Sequence, residues 1–140
     1  MAGLKENGGR WRDLYGDCMQ ITDRTPSTLR EMIEAGANVY AEETRSACDR
    51  YGIDDTGALK RSIKHGKIMR HGDGYRVEVW PQGTRTDKKH PNGERNETIG
   101  FIIEYGKADV PARPFMAAAA MAAEYKAADA MRRILEGISG

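Results

Sequence analysis

The stretch Ile63-Lys64-His65-Gly66-Lys67-Ile68-Met69-Arg70-His71-Gly72-Asp73-Gly74-Tyr75-Arg76-Val77-Glu78-Val79-Trp80 decides the fold class. Tyr75, Val77 and Val79 alternate with Arg76, Glu78 and Trp80, the two-residue period of a half-buried strand. His71-Gly72-Asp73-Gly74 joins this run to the preceding one with the residues of a tight hairpin turn. The spacing predicts antiparallel strands over residues 63–70 and 75–80.

On the N-terminal side the period changes to that of a helix. Thr25 can cap and Pro26 suits a first helical position. Leu29, Met32, Ile33, Gly36, Tyr40, Thr44, Ala47 and Tyr51 then recur at steps of three and four. They form one stripe along a helix of about seven turns that stops at Gly52. Gly36 on the stripe suits a close approach to the sheet. Asp54 or Asp55 caps a short helical turn through Leu59 to Ser62.

On the C-terminal side residues 81–98 read as a long polar loop, without structure of its own until it docks. Ile99-Gly100-Phe101-Ile102-Ile103-Glu104-Tyr105 reads as a further, central strand. Residues 106–113 turn the chain, and Pro114 opens an Ala-rich helix to about residue 136. The class is α+β. An antiparallel sheet of three to four strands, the hairpin plus a further strand, is packed by a long N-terminal helix and a C-terminal Ala-rich helix.

The 140 residues suit one domain, here residues 25–140, with a flexible loop at 81–98. Residues 1–24 are Gly-rich with few apolar anchors and read as an arm with a short strand near residues 18–22. Trp11 and Tyr15 in that arm suit docking on a neighbouring subunit or covering the chain's own core edge. The opening residues lack the apolar core of a leader, and no apolar run approaches a membrane span, so no membrane partner is expected. Cys18 and Cys48 match no ligand spacing; a reduced cytosolic compartment is the simpler expectation, with a single disulfide still open.

Net charge is only +1, but the charge is segregated. Lys60, Arg61, Lys64, Lys67, Arg70 and Arg76 face one acid between residues 60 and 76. The helical stretch before them leans the other way, with Glu31, Glu34, Glu42, Glu43 and Asp49 against Arg30, Arg45 and Arg50. An acidic helix and a basic hairpin can pair head-to-tail between copies, or stand as two solvated faces. Lys64, Lys67, Arg70, Arg85, Lys88, Lys89 and Arg95 are the candidate basic contact residues. They support at most non-specific contact with DNA, and a small basic nucleic-acid-binding protein is the alternative reading. Asp55-Thr56-Gly57-Ala58 matches the aspartic protease signature, but the apolar supporting strands of that chemistry are missing around it. His65, His71 and His90 lack a third ligand at a metal-site spacing. No catalytic residue, metal or cofactor is expected.

Two further segments carry a resemblance. Asp55-Thr56-Gly57-Ala58-Leu59-Lys60-Arg61-Ser62-Ile63 follows the long helix, and Glu104-Tyr105-Gly106 precedes Pro111-Ala112-Arg113-Pro114-Phe115 and the last helix. In this order and spacing they resemble the HK97 gp10-like family, the head–tail connector and tail completion proteins of tailed phages. The match runs from about Leu29 to the end. It departs at Gly52-Ile53-Asp54, where the family often has a proline, and at Met116-Ala117-Ala118-Ala119 after Phe115. The resemblance implies a structural, non-enzymatic protein of the virion neck that needs no cofactor and is assembled in the host cytoplasm. It implies a homo-oligomeric ring, commonly a hexamer, with the tail tube and the head connector as neighbours. The motif residues it marks are Asp55, Thr56, Gly57, Leu59, Ser62, Glu104, Tyr105, Gly106, Pro111, Arg113, Pro114 and Phe115. The pairing of the motifs leads to three expectations: Arg113 bonded to Glu104 or Asp55, Gly106 at positive φ, and Phe115 in the core.

Overall fold

The computed structural model describes residues 26–53, 57–72 and 74–139. The arm with Trp11 and Tyr15, the strand expected at 18–22, the Thr25 cap, Asp54, Asp55 and Thr56 lie outside them. The order of elements is α1 (Pro26–Arg50), α2 (Ala58–Ser62), β1 (Ile63–His65), β2 (Met69–His71), β3 (Gly74–Arg76), β4 (Val79–Pro81), β5 (Thr84–Arg85), β6 (Glu94–Arg95), α3 (Asn96–Tyr105) and α4 (Phe115–Ser139). This is the expected α+β class, with the long first helix, the hairpin and the Ala-rich last helix in place.

Helix α1 buries Leu29, Met32, Ile33, Gly36, Tyr40, Thr44 and Ala47, the stripe read from the sequence. Its end is a Schellman closure: Ile53 N–H donates to Cys48 O (2.9 Å) and Gly52 N–H to Asp49 O (3.2 Å), with Gly52 at φ +61°. Ile53, just beyond, is buried. Helix α4 lies antiparallel along α1. Lys126 reaches Glu43 (2.6 Å), whereas Arg113, before the start of α4, reaches the carbonyls after the end of α1. The seam is made of small residues: Ala37, Ala41 and Ala47 on α1, and Ala119, Ala120, Ala123, Ala127 and Ala128 on α4, all buried. Small side chains bring the two backbones close and multiply dispersion contacts. Phe115, Leu59, Ile63, Val77 and Val79 close the core from the other elements.

The hairpin is two short ladders in different registers. Ile63 pairs with Pro81 and His65 with Val79, while Met69 pairs with Arg76 and His71 with Gly74. Residues 66–68 therefore oppose only residues 77–78, the extra residue of a β-bulge. The Trp80 ring lies over Gly66 so closely that a Cβ there would stand 2.5 Å from a ring atom. Val77 and Val79 point into the core and Tyr75 packs at its edge, as the alternation predicts.

Two expectations fail. Residues 99–105 are not a strand but the body of α3, whose buried positions are Asn96, Gly100 and Glu104. Gly100 lets the helix lie against Pro81 and Leu59, since a Cβ would come within 3.0 Å of Pro81 Cγ. The apolar run looked like a central strand because β-branched and aromatic residues fit either setting, and tertiary packing decides. Residues 81–98 are not structureless either. They hold the β5–β6 ladder and the first turn of α3. The sheet is thus three two-stranded antiparallel ladders. Among the described residues no helix is long and apolar enough to cross a membrane.

The seam predicts an asymmetric response to added volume. Ala123→Leu forces the two backbones apart and lowers stability by about 1–3 kcal/mol. Ala122→Leu, on the exposed side of the same turn, changes it by less than about 0.5 kcal/mol. Thermal unfolding of the two variants checks this.

Candidate functional site

The second motif forms a joint between α3 and α4. Glu104, in the last turn of α3, is buried, and its carboxylate lies over the start of α4. Oε1 accepts the Met116 N–H (2.7 Å) and Oε2 the Ala117 N–H (3.1 Å). The first N–H groups of a helix have no intrahelical acceptor and carry the positive end of its dipole, so a carboxylate is the favoured partner. Here the cap comes from the preceding helix rather than from the residue before α4. Pro114, immediately before α4, has no N–H to satisfy.

The loop between the helices has to be very tight for this contact. Gly106 donates to Ile102 O (2.7 Å) at φ +75°, and Lys107 and Val110 exchange both backbone bonds (2.9 and 3.0 Å). A Cβ on Gly106 would meet Val110 O at 2.6 Å and Ala112 N at 2.8 Å. The expected positive φ is present, and Phe115 is fully buried as expected.

Arg113 does not pair with Glu104. Its Nη1 donates to Tyr51 O and Gly52 O, both at 3.3 Å, placing a cation at the C-terminal end of α1. The pairing fails because Glu104 is already committed to α4. The other named partner, Asp55, lies outside the described residues.

The first motif forms a helical turn. Gly57, at φ +75°, precedes it, and a Cβ there would meet the Arg61 guanidinium at 2.9 Å. Leu59 is buried, Ser62 Oγ donates back to Leu59 O (2.6 Å), and the Arg45 side chain donates to Ile63 O (2.7 Å). The turn swings the chain from α1 into β1. The two motifs meet through α1, whose end Arg113 holds and whose continuation leads into Gly57.

Beside the joint lies an open groove of about 350 Å³ lined by Trp80, Pro81, Glu97, Phe101, Glu104, Tyr105 and Met116. Phe101 and Tyr105, one turn apart on α3, are in ring contact with centroids 4.7 Å apart, and both are more than 60% exposed. Tyr105 therefore belongs to the surface, unlike the Glu and Gly that flank it. Pro111 is exposed on the loop.

The basic candidates divide. Lys64, Lys67, Arg70, Lys88, Lys89 and Arg95 are exposed. Arg70 and Arg30 both stand over the Tyr75 ring, at 5.8 and 5.6 Å. Arg85 instead turns inward, bonding Asn96 Oδ1 at 2.7 Å. Asn96 is the node of the β5–β6 hairpin, which the sequence reading missed: its N–H donates to Gly83 O (2.9 Å) and its Nδ2 to Gln82 O (2.9 Å). Asn at the first position of a helical run is the only sequence signal for it.

At the hairpin tip Asp87 faces His90, accepting from its N–H (2.8 Å) and lying 3.0 Å from its Nδ1. Desolvation raises the Asp87 carboxyl. The hydrogen bonds and charge of His90, with the Lys89 N–H, outweigh that and hold it below the ordinary aspartate value. Among the described residues no three His, Cys, Asp or Glu side chains gather to hold a metal.

Compared with protein-family models, curated proteins and solved structures, the chain gives no match. The family resemblance stands on its motifs alone.

Glu104→Ala leaves two N–H groups of α4 without their acceptor and costs about 2 kcal/mol or more. Arg113→Ala, losing two long bonds to carbonyls, costs about 1 kcal/mol or less. Because the side chains have different partners, the double variant is additive within about 0.5 kcal/mol in denaturant unfolding; a larger coupling would restore the direct pair. Asp87, with its carboxyl lowered in the folded chain, holds the tip above the ordinary carboxylate range and releases it as pH falls through its own lower value. An acid titration followed at the His90 amide by NMR shows that midpoint below the usual aspartate value, and Asp87→Asn abolishes the transition.

Proposed function

We propose that this chain is a structural protein of a tailed phage, a tail completion or neck protein that assembles as a ring joining the tail tube to the head connector. The observation that supports it best is the number of large apolar side chains left open: Phe101 and Tyr105 beside the motif joint, and Met121, Tyr125 and Met69 elsewhere, are all at least 60% exposed. A chain of 140 residues that leaves this much aromatic and methionine surface open fits a component whose surface is covered on assembly.

The motifs add to this. Glu104, Gly106, Arg113 and Phe115 each have a structural task that fixes the groove in place. In this reading they are scaffold residues, and no chemistry is assigned to them. The exposed cations Lys64, Lys67 and Arg70 give the ring a positively charged rim toward passing DNA, in contact with phosphates and without base reading.

Inactivating the gene in its parent phage and imaging the lysate by electron microscopy tests the reading. Full heads beside separate tails of normal length are expected. Overlong tails would move the role to tail termination. Intact infectious virions would overturn it and leave non-specific nucleic-acid binding, recognisable by an affinity that falls steeply with salt.

A further inference from the structure

Between residues 57 and 72 the chain carries five cations and no acid. Lys60 is paired with Asp49 at 2.8 Å. Lys64, Lys67 and Arg70 are exposed, and no carboxylate pairs with them among the described residues. Arg30, near the start of α1, is in the same condition. Glu31 and Glu34 are exposed on the same helix but are not bonded to it among the described residues. Arg30 turns instead to the half-buried Tyr75, whose ring also takes Arg70: the two guanidinium carbons stand 5.6 and 5.8 Å from its centroid.

The β-bulge aims Arg70 at that ring. Lys64 is opposite Trp80, and Arg70 is opposite Tyr75. Six residues apart, the two cations would share one face of a regular strand. Tyr75 and Trp80 lie on opposite faces of theirs, so the extra residue at 66–68 turns Arg70 to the other side, toward α1. Lys64 stays on the Trp80 face. The basic segment therefore holds one built cluster, Arg30, Tyr75 and Arg70 from three elements, and a separate lysine on the opposite face.

We propose that Arg30 and Arg70, laid against the Tyr75 ring, form a binding site for the phosphates of nucleic acid. The inference rests on the reading above, in which exposed cations meet passing DNA, and names the residues that receive it. A guanidinium over an aromatic face is held by the ring's quadrupole and keeps its N–H edge for an oxyanion. Its planar fork matches two phosphate oxygens. Two such cations gathered at one ring repel each other. With no carboxylate to offset them among the described residues, they are stabilised when an anion joins them. A nucleic-acid backbone suits the site better than a single carboxylate because its charge repeats, so that it also meets the exposed Lys67, three residues before Arg70.

Fluorescence anisotropy of a labelled DNA duplex, with salt raised from about 50 to 200 mM, tests the site. Arg30→Ala and Arg70→Ala are each expected to weaken binding about tenfold and to lower the slope of log affinity against log salt by about 0.9, one phosphate contact. Arg70→Lys keeps the charge but loses the planar fork, and is expected to weaken binding about threefold or more. Tyr75→Leu, which leaves every charge in place, is expected to do the same. Both arginines are exposed, so unchanged thermal unfolding verifies the fold of their variants whatever Tyr75→Leu does to stability. Lys64→Ala, on the other face, is expected to stay within about twofold of wild type. An Arg70→Lys variant that binds like wild type, or a Lys64→Ala variant that loses as much as Arg70→Ala, would leave bulk charge alone and overturns the inference. So does a wild-type chain that fails to bind at the lowest salt. So does a poly-glutamate chain that displaces the duplex as readily as unlabelled DNA, which would make an acidic protein the partner. The two proposals fail separately. Intact virions after gene inactivation, with the DNA results as expected, would remove the neck reading and keep the site. Heads and tails that separate on inactivation, with both alanine variants binding DNA like wild type, would remove the site and keep the neck reading.

Discussion

The carboxylate of Glu104 over the first N–H groups of α4 is the constraint from which the rest of the C-terminal half follows. A buried carboxylate is tolerated only when its lone pairs are filled, and the start of a helix supplies unfilled donors. That match fixes the angle between α3 and α4. Once fixed, the chain between them has to reverse in a few residues, which only Gly106 at positive φ allows. The reversal then delivers Phe115 into the core and sets α4 along α1, where the alanine seam does the remaining packing. Arg113 ties the same loop to the far end of α1, so both motif segments are referred to one helix.

This explains which parts of the fold were legible. Helices α1 and α4 announce themselves because their buried faces are apolar and their starts carry proline. The hairpin does so through strict alternation at Tyr75, Val77 and Val79. Helix α3 was misread because its buried face is Asn96, Gly100 and Glu104, four residues apart but polar or without a side chain. Hydrophobic periodicity marks where apolar residues lie. In α3 they lie at the flanks and on the open face, where Phe101 and Tyr105 touch. The helical four-residue step was present in the sequence, in residues that the usual pattern does not count.

The same limit applied to the site. The motif residues were identifiable, but not their partners, because a helix start offers backbone N–H donors that leave no side-chain signature. Arg113 and Glu104 look complementary in sequence and are not bonded. The β5–β6 hairpin was hidden for a related reason: its order comes from Arg85 and Asn96, two polar residues facing each other, in a stretch that composition marks as loop. The bulge at residues 66–68 was signalled only by Gly66, whose lack of a side chain makes room for Trp80.

The charge segregation of the sequence takes a different meaning in the fold. Two of the acids on α1 are engaged within the chain, Asp49 with Lys60 at 2.8 Å and Glu43 with Lys126 at 2.6 Å. The charges left exposed on the acidic helix and the basic hairpin are weak contributors to stability, since exposed ion pairs supply only about 0–1 kcal/mol each and weaken with salt. Covering a large apolar side chain contributes about 1.5–3 kcal/mol. Covering Phe101 or Tyr105 would therefore gain more than any one of these exposed charges. The acidic helix therefore matters to the structure mainly through the buried alanine seam that it forms with α4.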